Sequence, residues 1–137
     1  MNGRSFLDTN ILVYTDDHDT PDKQERALEI IAQVRRRGVG VLSTQVLQEY
    51  FVVTTRKLGV SLTVARRKVE LFARLHLVQI NLVQILGAID LQRLHDFSFW
   101  DALIVRCALD GGCVRLLTED LPHGQQVEGL EIVNPFR

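Results

Sequence analysis

Ser5-Phe6-Leu7-Asp8-Thr9-Asn10-Ile11-Leu12-Val13-Tyr14, near the start of the 137-residue chain, is the stretch that decides the fold. Ser5 to Leu7 read as a short strand that stops at Asp8, and Ile11 to Tyr14 resume an apolar run that opens a helix or a turn. Beyond it, Thr20-Pro21 has the look of an N-cap followed by proline at the first helical position. Ala27, Leu28, Ile30, Ile31 and Val34 then supply the inward face of a helix ending near Gly38. Val39 to Leu42 form a second strand. Ser43 or Thr44 caps a helix carrying Val46, Leu47, Tyr50, Phe51 and Val53, which ends before Gly59. A further helix follows Ser61 up to about Leu75, and Leu77 to Ile80 are a third strand. Leu82 to Leu94 read as a helix interrupted by Gly87. Ser98 caps a helix from Phe99 to Leu109 that Gly111-Gly112 ends, Val114 to Leu117 are a strand, and Ile132-Val133 add a last edge strand. Strands alternating with helices require crossover connections, so the expected fold class is α/β, with a mostly parallel sheet flanked by helices and residues 1–137 forming one domain.

Apolar residues make up 46% and charged residues 24% of the chain, an ordinary globular mixture that excludes disorder and coiled coil. No apolar run approaches the length of a membrane span, and Asp8 cuts off the early apolar run before a signal peptide can form, so a soluble cytoplasmic protein is expected. Cys107 and Cys113 lack metal-ligand spacing and read as reduced thiols. His18, His76, His95 and His123 likewise show no zinc-ligand spacing. The net charge of −1 hides a segregation: residues 1–29 carry 3 basic and 7 acidic groups, residues 30–74 carry 9 and 2, and residues 75–137 carry 4 and 8. The basic middle, with Arg56, Lys57, Arg66, Arg67 and Lys68, suits a phosphate backbone, although helix faces are often basic for solvation alone.

Ligands of open α/β sheets collect beyond the carboxyl ends of the strands, which directs attention to the acids that follow strands. Asp8 follows the first strand, and Thr118-Glu119-Asp120 follow the strand Val114 to Leu117. Each can equally serve as a turn or cap residue. Asp101 lies on a helix apolar around almost its whole circumference, where a carboxylate is poorly placed to face water and needs a partner. That partner can be the backbone N–H of Ser98, at capping-box spacing. Glu49 sits at the margin of its helix's inward face, as an ordinary boundary glutamate also would. If Asp8, Glu49, Asp101 and Asp120 converge, their repulsion calls for a divalent cation, and an all-carboxylate set suits Mg²⁺ or Mn²⁺ rather than Zn²⁺. No dinucleotide fingerprint, Walker lysine or Gly-x-Ser-x-Gly elbow competes. Asp16, Asp17 and Asp19 read as a solvated loop.

Phe6-Leu7-Asp8-Thr9-Asn10, Gln48-Glu49-Tyr50, Phe99-Trp100-Asp101-Ala102 and Leu117-Thr118-Glu119-Asp120-Leu121 together resemble the PIN-domain nucleases, a family that includes the ribonuclease toxins of prokaryotic toxin–antitoxin pairs. The resemblance covers nearly the whole chain. It implies that Asp8, Glu49, Asp101 and Asp120 bind Mg²⁺ or Mn²⁺ and carry catalysis, that Asn10 holds the first loop, and that Thr118 hydrogen-bonds within the site. Glu119 is expected to point away, since neighbours in extended chain face opposite sides. The resemblance further implies an endoribonuclease leaving a 5′-phosphate and a 3′-hydroxyl, an RNA substrate, a cognate antitoxin protein and a homodimer formed through helices. Two other readings remain open at this point: a noncatalytic RNA-binding or regulatory module that kept the fold, and a structure-specific DNA nuclease, for which the chain is short.

Overall fold

The computed structural model describes residues 2–137, so that Met1, the first residue of the expected domain, lies outside the described residues. Among the described residues six strands and six helices follow one another, the helices in pairs between the first four strands: β1 (Arg4–Leu7), α1 (Thr9–Tyr14), α2 (Pro21–Arg37), β2 (Gly40–Ser43), α3 (Thr44–Lys57), α4 (Leu62–Phe72), β3 (His76–Val78), α5 (Leu82–Leu94), α6 (Phe99–Asp110), β4 (Cys113–Leu117), β5 (Gln126–Val127) and β6 (Leu130–Val133). The strands form one sheet in the order β3-β2-β1-β4-β6-β5. Every pairing is parallel except β5 with β6. The α/β class read from the sequence is therefore what the chain adopts.

β1 lies at the centre because both its faces are apolar. Phe6 and Leu7 are adjacent in sequence, point to opposite faces, and are both fully buried, the pattern of a parallel strand covered by helices on either side. From β1 the chain builds outward through β2 to β3, then returns to the other side of β1 with β4. The order of the strands thus reverses at β1 and β4, and the loops leaving their carboxyl ends, at Asp8 and at Thr118, border the crevice where such sheets bind ligands. The β1–β4 register, Leu7 opposite Leu117, brings those two exits level with each other.

Several sequence expectations are corrected in detail. Thr20 occupies the cap position of α2 without making a cap hydrogen bond; its buried hydroxyl has no partner, and Pro21 starts the helix by its fixed φ instead. Gly87 does not interrupt α5: a Cβ there would meet Arg106 Cδ of α6 at 2.4 Å, so the glycine marks close helix packing rather than a break. Ile132 and Val133 do not form an edge, because β6 lies between β4 and β5. The edge is the short β5, joined to β6 by Glu128-Gly129, both at positive φ (50° and 87°), a tight hairpin turn without the usual Asn-Gly signature. The third strand is His76–Val78, starting one residue before its expected position and ending two before it. Both cysteines are free and buried, and burial pushes each thiol up to about 12, which keeps them unreactive. Among the described residues no helix is long and apolar enough to cross a membrane.

Candidate active site

Asp8 terminates β1 and begins α1. Its Oδ1 accepts the Thr9 N–H at 2.7 Å, so it does act as a cap, and its Oδ2 accepts the Thr118 hydroxyl at 2.8 Å. It is only 6% exposed. Burial raises its pKa to about 6 against the opposing effect of those two hydrogen bonds, and the nearby charges of Asp120 and Glu49 add to the rise. Thr118, fully buried, also accepts the Asp120 N–H at 3.0 Å. One hydroxyl therefore ties the acid after β1 to the acid after β4. Asp120 stands at the rim, where Asn10 Nδ2 donates to its Oδ2 at 3.2 Å. Its pKa is raised by partial burial first and then by the charge of Asp101.

Glu49 reaches the same place from α3. Ser43 caps that helix by accepting the Val46 N–H, which directs the first two turns across the β2 exit. The Thr9 hydroxyl donates to Glu49 Oε1 at 2.6 Å, and Gln45 Nε2, one turn earlier on the same face, lies 3.5 Å from Oε2. Asp101 comes from the first turn of α6, whose cap Ser98 accepts the Asp101 N–H at 3.1 Å. The reciprocal bond to the Ser98 N–H is not formed, so the capping-box alternative is only half realised. The expectation that Asp101 is shut away from water is also corrected: it is half-buried, because the first turn projects to the cavity mouth while Ala102 to Val105 sink into the core.

A cavity of about 570 Å³ joins these parts; Asp8, Glu49, Asp101 and Asp120 all line it, with Asn10 and Gln45 between them. Val13, Val52, Val53 and Ile104 form apolar walls. Low polarity around four acids strengthens their mutual repulsion, consistent with the raised Asp8 and Asp120 pKa values. Among the described residues no group of three His, Cys, Asp or Glu side chains is drawn close enough together to hold a metal ion; the acids are turned instead onto Thr9, Asn10 and Thr118. The donor chemistry nevertheless fits a hard dication. All the donors are oxygens, and Asn10 Oδ1 and Gln45 Oε1, on residues lining the cavity, are buried acceptors with no hydrogen-bond donor.

Glu119 leaves the cavity, as expected for the neighbour of Asp120. Its carboxylate accepts from the Tyr14 hydroxyl and pairs with Lys23 Nζ at 2.9 Å. The basic segment is divided. Arg56 and Lys57 are exposed in the last turn of α3, and Arg66 and Arg67 are exposed on α4 beside Glu70. Arg66 also borders a groove that shares Gln48 and Val52 with the cavity. Lys68 is turned inward, so its place in a nucleic-acid surface is corrected: Nζ lies 2.6 Å from Asp16 Oδ1 and 3.1 Å from the Thr15 hydroxyl, above the rings of Tyr50 and Phe72. Asp16, read as solvated, is thereby a structural anion, and it accepts the Tyr50 hydroxyl as well. Lys68→Ala is expected to lower stability by about 1–2 kcal/mol in urea unfolding, because a partly buried carboxylate loses its cation. Arg66→Ala is expected to stay within about 0.5 kcal/mol, as exposed helical pairs do.

Thr9 and Gln45 are the site residues that the sequence reading missed. Gln45 carried a usable signal, its i,i+4 spacing to Glu49. Thr9 carried none beyond its place next to Asp8.

The PIN domain family model matches residues 5–122 of the chain. Among solved structures, the chain is similar to Mycobacterium tuberculosis VapC20, described as a sarcin-ricin loop cleaving toxin. The TM-score is 0.62 at 18% sequence identity, covering 85% of this chain and 91% of that one. At that identity the likeness speaks for the fold. No curated protein sequence matches.

Proposed function

The chain belongs to the PIN domain family, and from that premise we propose that it is an endoribonuclease that depends on Mg²⁺ or Mn²⁺, acting as one domain in the cytoplasm. The observation that carries this reading is that four acids, from the exits of β1 and β4, the second turn of α3 and the first turn of α6, line one cavity at the carboxyl edge of the sheet.

Asp8, Glu49, Asp101 and Asp120 are the residues that would hold the dication. When bound, such an ion neutralises charge developing on a phosphodiester and lowers the pKa of a coordinated water. The remaining work falls to side chains that aim the acids. The Thr118 hydroxyl donates to Asp8 while receiving the Asp120 N–H, which sets the spacing between the acids of β1 and β4. Asn10 steadies Asp120, and Thr9 and Gln45 orient Glu49. Such outer partners of metal ligands contribute about 10- to 100-fold to affinity or activity. Arg56, Lys57, Arg66 and Arg67 would neutralise flanking phosphates; those contacts position RNA without reading its sequence.

A toxin role with a cognate antitoxin is part of the same proposal, and the likeness in fold to a solved toxin supports it. A homodimer is supported by α5, where Leu82, Val83 and Leu86 are more than half exposed. The decisive experiment incubates the protein with single-stranded RNA in chelator, Mg²⁺ and Mn²⁺. Cleavage that requires a divalent ion and leaves 5′-phosphate ends is the expected result. RNA binding without turnover under every ion would replace the enzyme with a noncatalytic module.

A further inference from the structure

Trp100 is the chain's one tryptophan. It is 63% exposed, although the four residues after Asp101 are buried. An indole left largely in water beside a buried helix face forfeits the burial that its size normally secures. Its position gives that exposure a meaning: Trp100 lines the same cavity as its neighbour Asp101, together with the apolar side chains of Val52 and Val53. Phe99 braces the indole in a T-shaped contact, with ring centroids 5.2 Å apart and planes at 77°. A braced aromatic surface thus stands open beside the carboxylates.

We infer that Trp100 is a stacking platform for one nucleobase of single-stranded RNA, next to the phosphate that faces Asp8 and Asp101. The inference rests on the nuclease reading above and adds a base-binding subsite to it. A chain whose phosphate enters the acidic floor must carry its adjacent base along the cavity wall, and the wall there is apolar with an aromatic ring at its edge. Every base has a π-face, so stacking holds the strand without selecting sequence, and it excludes duplex, whose bases are already stacked.

Trp100→Ala is expected to raise KM for short single-stranded RNA about tenfold (about 1.4 kcal/mol, at the low end for one stacked base) with kcat little changed, and Trp100→Phe to recover most of the loss. Substrates with a single abasic nucleotide locate the base: at one position beside the cut, wild type and Trp100→Ala become equal. Because Trp100 is the only indole, RNA titrated into the noncleaving Asp8→Asn protein is expected to quench tryptophan fluorescence. Circular dichroism melts check that the Trp100 variants fold, as the exposure of the side chain leads one to expect. Unchanged KM in folded Trp100→Ala overturns the inference even where RNA is cleaved, and would leave the indole as an anchor for a protein partner. Quenching by RNA with no cleavage under any divalent ion would instead keep the stacking site and remove the nuclease.

Discussion

Asp8→Asn and Asp101→Asn are each expected to lower metal-dependent RNA cleavage by at least about 100-fold, since even the outer partner of a metal ligand is worth up to about that much. The fold should survive both changes. At Asp8 the amide oxygen can still accept the Thr9 N–H, and the amide nitrogen can donate to Thr118 Oγ1, a hydroxyl able to accept as well as donate. At Asp101 the cap of α6 is made by the backbone N–H, which the substitution leaves in place. What each change removes is one negative charge from the cavity. Single-turnover cleavage in saturating Mn²⁺, with circular dichroism to verify folding, provides the measurement. Glu119→Gln is the matched control: Glu119 does not line the cavity, and its carboxylate is engaged by Lys23 and by the hydroxyl of Tyr14 at the cavity's margin, so a much smaller loss is expected. Wild-type rates in Asp8→Asn and Asp101→Asn would show that the acids do not act on RNA.

The sequence made the end of β1 legible because a parallel strand buried on both faces reads as an apolar run, and the first polar residue after it, Asp8, marks the exit. β4 is less regular, with Arg115 inside it and Val114 exposed, but Leu116-Leu117 followed by Thr118-Glu119-Asp120 still marks its end. Asp101 was visible as a charge beside an apolar helix, yet its exposure was misjudged. A helical wheel reports which direction a residue faces but not whether the helix end it occupies is covered. Lys68 shows a related failure. Arg66, Arg67 and Lys68 are consecutive in a helix, about 100° apart, so they fan around most of the axis and cannot all face outward. Which one turns inward depends on Asp16 and Tyr50, far away in sequence. The Thr9–Glu49 contact is of the same kind, since it exists only because α1 packs on α3. The hairpin turn at Glu128-Gly129 was missed because a glutamate at positive φ is a conformation that the tertiary fold imposes rather than one glutamate prefers.

Asp8→Asn is also expected to make the metal-free protein more stable at neutral pH, by up to about 3 kcal/mol. Folding raises the Asp8 pKa from 3.8 to about 6, so between these values the folded chain holds a proton that the unfolded chain has released. The favourable contribution is fully present below about pH 4 and lost as pH rises through about 6; a rise from 3.8 to about 6 corresponds to about 3 kcal/mol. Asparagine carries no such charge to bury. In chelator, then, the variant should unfold at higher urea than wild type at pH 7.5, and the gap should close towards pH 4. Mn²⁺ should reverse the order. An ion that binds the ionised folded site stabilises wild type by about 4 kcal/mol at a thousand times its Kd, more than the variant's lead, and the variant, lacking a ligand, largely forgoes that gain. Urea titrations of both proteins at the two pH values, with chelator and with Mn²⁺, separate these effects. A less stable Asp8→Asn in chelator at pH 7.5 would mean that the hydrogen bonds from Thr9 and Thr118 outweigh burial and that Asp8 is an ordinary cap. The expected reversal would mean that the fold carries an ionised, unneutralised acid at a cost that only its ligand removes, as functional sites do when activity and stability pull apart.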